Sequence, residues 1–270
     1  MPGDRVTIES TLRAHRDAGR KLLVPYVTGG LGPDWVEVVR AVAAAGADAI
    51  EIGIPFSDPL MDGPVIQEAT RRALAEGATP VGVVSALADV DAGVPLVVMT
   101  AYNIVFRAGH ERFANTLVAN GVSGAILPDL PVDELGDWAP TAARAGVETI
   151  LLAAPTTPDD RLALICERSR GWVYGVGVLG VTGERDSLAA TASVIAKRLK
   201  AITDKPVLVG IGVSNPAQAV AACEDADGVI VGSALVRRLL EGAGPDGAAA
   251  FVGELRAGLD ESAASLNRGR

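Results

Sequence analysis

Three observations predict an α/β chain folded as a single (β/α)₈ TIM barrel with extra helices. A unit recurs in which a helical pattern ends at or near glycine and a short β-branched run follows. These runs show no polar alternation, and eight of them are spread along the 270 residues. Glycine at a helix C-terminus accepts the left-handed backbone that stops the helix. A run without alternation suits a strand covered on both faces, as in a parallel sheet.

The clearest copies are Ala-Gly-Ala-Asp-Ala-Ile-Glu-Ile-Gly at 45–53, Asn-Gly-Val-Ser-Gly-Ala-Ile-Leu-Pro-Asp at 120–129, Ala-Gly-Val-Glu-Thr-Ile-Leu-Leu-Ala at 145–153 and Asp-Ala-Asp-Gly-Val-Ile-Val-Gly-Ser at 225–233. With the less regular copies, strands are expected near 22–27, 49–53, 96–100, 124–127, 149–153, 172–176, 206–210 and 228–231. Helical patterns between them include 34–45, 65–76, 133–145, 188–201 and 248–264, several opening with Asp or Pro near the first turn. Residues 242–247 read as a Gly/Pro loop. An open, doubly wound sheet is the alternative, and the lack of Gly-x-Gly-x-x-Gly after the first strand counts against it.

With 49% hydrophobic residues and no linker or low-complexity segment, residues 1–270 are read as one domain. A net charge of −9 leaves no basic stripe to neutralise a phosphate backbone, so nucleic acid is not an expected partner. Cys166 and Cys223 lie far apart without CxxC or Cys/His spacing, which fits a reducing compartment. The N-terminus lacks the apolar core of a signal peptide, and no stretch has the roughly 20 apolar residues of a membrane span. A soluble, cytoplasmic protein is therefore expected.

In such barrels the site lies at the strand C-terminal ends, so polar residues there become candidates by position. Glu51 interrupts the apolar run Ala-Ile-Glu-Ile-Gly. It is either a structural carboxylate bonded to a neighbouring amide or an acid whose pKa is raised by desolvation. Asp62 follows in an unusually long loop, Pro55-Phe-Ser-Asp-Pro-Leu-Met-Asp-Gly-Pro64, beside Asp58. Acidic residues between Pro and Gly are ordinary turn formers, but two carboxylates in different surroundings can divide acid and base roles. After the last two strands, Gly210-Ile-Gly-Val-Ser-Asn-Pro216 and Val231-Gly-Ser-Ala-Leu235 offer small residues and helix-start amides suited to a phosphate, or simply tight turns and caps. A further glycine cluster, Gly180-Val-Thr-Gly183, precedes a charged stretch as a lid would.

Neither imine nor metal chemistry is expected. Lys21 and Lys205 precede strands, away from the expected site, and Lys197 and Lys200 fall on a helix. His15 and His110 are isolated, so no metal site is read. Proton transfer by carboxylates on a substrate held by its phosphate is what remains.

The segment from Glu51 to Pro64 closely resembles the signature of the tryptophan synthase alpha subunit family. The likeness continues through Pro25-Tyr-Val-Thr28, Met99-Thr-Ala-Tyr-Asn103, Leu127-Pro-Asp-Leu-Pro131, Ala154-Pro-Thr-Thr-Pro158 and the three glycine loops. The resemblance implies cofactor-free retro-aldol cleavage of indole-3-glycerol phosphate to indole and D-glyceraldehyde 3-phosphate, in the last steps of L-tryptophan biosynthesis. By that analogy Glu51 protonates indole C3, Asp62 accepts the indole N–H, and Tyr174 stands close to the acid. Gly183, Gly212, Gly232 and Ser233 correspond to the phosphate loops, and Thr182 to a lid residue. Tyr26, Leu127 and Ile230 would line the indole pocket.

The same resemblance implies a beta subunit carrying pyridoxal phosphate, an α₂β₂ heterotetramer, and an interface at Phe56, Asp58 and Pro59, with the segment 127–131 facing the same partner. Val178 and Leu179 stand where the family often carries polar residues, and Ala101 where a tyrosine is expected. Three rivals stay open: a stand-alone lyase releasing free indole, another phosphate-binding barrel such as an indole-glycerol-phosphate synthase or sugar-phosphate isomerase, and a non-catalytic barrel that activates a partner. The synthase would show catalytic lysines at strand ends, and the scaffold would not need both carboxylates.

Overall fold

The computed structural model describes residues 7–58, 61–177 and 185–268, with the side chains of 185–190 and 266–268 outside that description. Eight strands, β1 (Leu22–Thr28), β2 (Ile50–Gly53), β3 (Leu96–Met99), β4 (Val122–Ile126), β5 (Glu148–Ala153), β6 (Val173–Val176), β7 (Val207–Gly210) and β8 (Gly228–Val231), pair in parallel in chain order, and β8 returns to β1 to close the barrel. All eight fall where the apolar runs predict, with ends moved by one or two residues.

Helices cover the outside. α1 (Ile8–Asp17) precedes the first strand and α2 (Trp35–Ala44) follows it. The longest connection, after β2, carries α3 (Pro64–Ala75) and α4 (Pro80–Ser85); α5 (Tyr102–Ala108) and α6 (His110–Ala119) follow β3. Then come α7 (Trp138–Ala145), α8 (Asp159–Arg168), α9 (Arg185–Lys200), α10 (Pro216–Ala222), α11 (Ser233–Leu240) and α12 (Gly244–Arg268).

Two helical expectations need correction. The pattern at 133–145 is not continuous: a 3₁₀ turn at Val132–Glu134 is separated from α7 by Gly136 at φ +37°, a backbone no helix interior tolerates. The Gly/Pro loop expected at 242–247 is short, because α12 already begins at Gly244 with Pro245 in its first turn, where the missing N–H is not needed. Among the described residues no helix is long and apolar enough to cross a membrane.

Alternate strand residues divide between two buried clusters. Leu22, Val24, Val97, Ile126, Ile150, Trp172 and Leu208 fill the barrel, whereas Leu23, Val27, Val98, Ala125 and Val209 pack under the helices. Ile8 and Leu12 of α1 belong to the inner set, so this helix plugs the N-terminal end. Glu148, the first residue of β5, accepts hydrogen bonds from the Ile8 and Glu9 amides and so binds the first turn of α1 to the barrel.

The same end holds a caged carboxylate. Asp48 is fully buried just before β2 and meets His15 Nδ1 at 2.8 Å, Arg20 Nε at 2.7 Å, the Leu23 amide at 2.8 Å and Arg256 of α12 at 3.3 Å. It therefore fastens α1, β1 and α12 to one point. Asp227 repeats the device before β8, accepting from the Val207 amide and from Lys200. Lys21 and Lys205 lie at this end too, donating to main-chain carbonyls of Cys223 and Ala226 and of Cys166, Glu167 and Ser169 respectively.

Candidate active site

At the opposite, C-terminal end the barrel opens into a cavity of about 410 Å³. Glu51 projects into it from β2, beside Tyr26 of β1 and Val97 of β3 in the strand register. The residue is 1% exposed, and its Oε2 has no hydrogen-bond partner among the described residues. Burial, followed by the charge of nearby Asp62, pushes this carboxyl up to about 8. Of the two readings open for Glu51, a carboxylate satisfied by a neighbouring amide does not fit an orphaned oxygen. An acid held in its protonated form does.

Asp62 reaches the same cavity from the loop after β2, and Gln67 Nε2 donates to its main-chain carbonyl at 2.7 Å. Partial desolvation at the rim raises its carboxyl from the ordinary value. Two phenols flank the pair. Tyr174 of β6 lies over Gly210, where a Cβ would come within 2.7 Å of the hydroxyl oxygen, and Tyr26 covers Gly53, where the gap would be 1.8 Å. Burial raises both, with Glu51 a further cause in each case, so both remain hydroxyl donors.

The glycine positions converge on the other side of the cavity. Gly212, after β7, takes φ +74° with open space where a Cβ would be, a backbone that favours glycine. Gly232 is the N-cap of α11 and Ser233 its first residue. All three line the cavity with Ile230. Free amides at a helix start form an anion site. Thr182 and Gly183, with Val178 and Leu179, lie outside the described residues, as does Pro59.

Leu127 is a correction. It packs in the outer cluster, because Ile126 before it points inward and neighbouring strand positions alternate. The apolar wall is instead supplied by Met99, Leu152, Val176 and Pro128, the first three of which share the inward parity of Val97, Ile150 and Tyr174. Phe56, half-buried, and Asp58, exposed, line a smaller adjoining pocket with Ala101, Met99 and Asp129. Ser57 donates to Asp58 at 2.7 Å.

The sequence profile described as "Tryptophan synthase alpha chain" matches residues 12–261. The chain belongs to the tryptophan synthase alpha chain family. A family member from Thermobifida fusca is 44% identical over 256 residues, covering 91% of this chain and 94% of its own. Tryptophan synthase from Mycobacterium tuberculosis superposes with a TM-score of 0.85 at 40% identity, covering 94% of this chain and 99% of that one. A tryptophan synthase complex from Pyrococcus furiosus gives 0.80 at 36% identity, covering 87% and 98%.

For a tryptophan synthase alpha chain family member, the charged lining residue that the sequence did not single out is Arg237 of α11, beside Gly212 and Ser233. An arginine on a helix reads as an ordinary solvated charge, and only the juxtaposition of the loops after β7 and β8 brings it to the cavity. Among the described residues no cluster of three or more His, Cys, Asp or Glu side chains is placed to hold a metal ion.

Proposed function

We propose that this chain, as the alpha subunit of tryptophan synthase, cleaves indole-3-glycerol phosphate to indole and D-glyceraldehyde 3-phosphate, with Glu51 and Asp62 moving and steering the protons. The observation that carries the assignment is an unpartnered carboxyl, pushed up to about 8 by burial, at one wall of a cavity whose other wall carries Gly232 and Ser233 at a helix start.

The substrate is held by its phosphate at Gly212, Gly232 and Ser233, with its ring against Met99, Leu152 and Ile230. Glu51 gives its proton to indole C3. Positive charge then spreads to the ring nitrogen, whose N–H donates to the Asp62 carboxylate. The bond from C3 to the side chain breaks, its electrons restore the aromatic ring, and the hydroxyl on the departing carbon becomes the aldehyde. Its proton returns to Glu51, so the enzyme ends as it began. Tyr174, beside Glu51, donates to the carboxylate formed in mid-reaction. Burial holds Glu51 in its protonated form, and the division of roles assigns the ionised form to Asp62, which is the more exposed of the two.

No cofactor enters these steps; pyridoxal phosphate belongs to the beta subunit, the partner in the α₂β₂ assembly. Phe56 and Asp58 on the rim, with Pro59, are proposed to face it. Residues 1–270 are proposed to work as one domain, in the cytoplasm, where the buried free thiols Cys166 and Cys223 stay reduced.

The test is an indole-release assay on the purified chain with and without a beta subunit. Slow release alone and marked acceleration in the complex is the expected result. Full activity without a partner would instead make it a stand-alone lyase, and no release in either state would remove the assignment. The pH profile gives a second check. Because the acid must be protonated and its carboxyl sits at about 8, kcat is expected to fall as pH rises through about 8. A profile flat across that range would remove Glu51 as the donor.

A further inference from the structure

We infer that Arg237 is a substrate-binding residue of this site, gripping the terminal phosphate from the solvent side while the amides of Gly212, Gly232 and Ser233 hold it from the barrel side. The inference rests on the anion site proposed above.

Among the described residues that line the cavity, Arg237 is the sole Lys or Arg. It also lines a neighbouring chamber of about 480 Å³, together with Gly212, Ser214, Gln218 and Ser233, so it stands at the boundary between the reaction cavity and solvent. Its position follows from helix geometry. It lies four positions after Ser233, which places both on one face of α11, and helical side chains lean toward the N-terminus. The long guanidinium stem is therefore directed back toward the helix start, where the amides converge.

No carboxylate among the described residues pairs with Arg237. Its neighbour Arg238 is engaged otherwise, donating to the Ala234 carbonyl at 2.9 Å and lying 3.8 Å over the Phe251 ring. The electrostatic need is plain from the rest of the molecule. A phosphate dianion approaches a chain of net charge −9, into a cavity that already holds Asp62. A planar guanidinium at the far end attracts that phosphate and accepts it in a two-point geometry. It also sets the direction of binding, with phosphate toward Arg237 and indole N–H toward Asp62.

The test compares the wild-type complex with a beta subunit against Arg237→Gln and Arg238→Gln complexes. It reads kcat and KM for indole-3-glycerol phosphate, and inhibition by glycerol 3-phosphate, which carries the phosphate without the indole. Arg237→Gln is expected to raise both KM and the inhibition constant by about tenfold, with kcat nearly unchanged, because one charge-assisted contact is lost at a partly solvated position. Added salt should raise KM in the wild type more than in this variant. Arg238→Gln should behave as wild type.

If glycerol 3-phosphate inhibits the wild type and Arg237→Gln equally, the role of Arg237 is overturned while the anion site stands. If Arg238→Gln matches the loss in Arg237→Gln, a general charge effect replaces the specific one. If glycerol 3-phosphate fails to inhibit the wild type, the anion site itself falls and the inference with it.

Discussion

Glu51→Gln is expected to slow indole release by about 10³-fold while substrate affinity changes little. The carboxamide keeps the shape of the side chain in its fully enclosed place beside Tyr26 and Val97, yet it cannot deliver a proton to carbon. The same substitution should stabilise the fold. The Glu51 carboxyl is raised to about 8 in the folded chain and returns to the ordinary carboxylate range on unfolding. Between those two values the unfolded chain gains by losing the proton and the folded chain does not. Wild-type stability from this group is thus full on the acid side and drains away as pH climbs toward 8. Glutamine has no such dependence, so near pH 8 the variant is expected to unfold at a higher temperature than the wild type. Measuring both quantities is decisive: retained turnover would remove the acid, and a lowered melting temperature would contradict the account of burial.

The second large effect lies at the other end of the barrel. Asp48→Ala is expected to lower folding stability by about 3–5 kcal/mol, since it removes the shared acceptor of a buried charged cluster. Arg20 and the Leu23 amide would lose their buried acceptor, and Arg256 would keep only Asp260, on its own helix, as a counter-charge. Asp227→Ala should do less, because its charge partner Lys200 is about one-third exposed and can turn to water. Denaturant melts of both variants check the ranking, and kcat per folded molecule should stay at the wild-type level in each. A loss under about 1 kcal/mol for Asp48→Ala would show that the cage is decorative.

What could be seen in the sequence follows the range of the forces involved. The strands were legible because each is announced locally, by a glycine-ended helix and an unbroken β-branched run. Glu51 was legible because a charge inside such a run contradicts its surroundings. Leu127 was misplaced because its direction depends on the phase of β4, which one glance at composition does not supply. The break at Gly136 was hidden by apolar spacing that continues across it. Asp48 carried no local sign of its role: its partner Arg256 is 208 residues away. Arg237 likewise acquires meaning only once the seventh and eighth connections are side by side. Long-range closure of the barrel creates these two sites, and short sequence windows do not contain it.

The α1 stopper has a consequence for traffic. With Ile8 and Leu12 sealing the floor, the reaction chamber is blind-ended. Substrate, aldehyde and indole therefore pass by the C-terminal mouth, and a partner docked on the Phe56 side of that mouth, as proposed above, would govern how much indole reaches solvent.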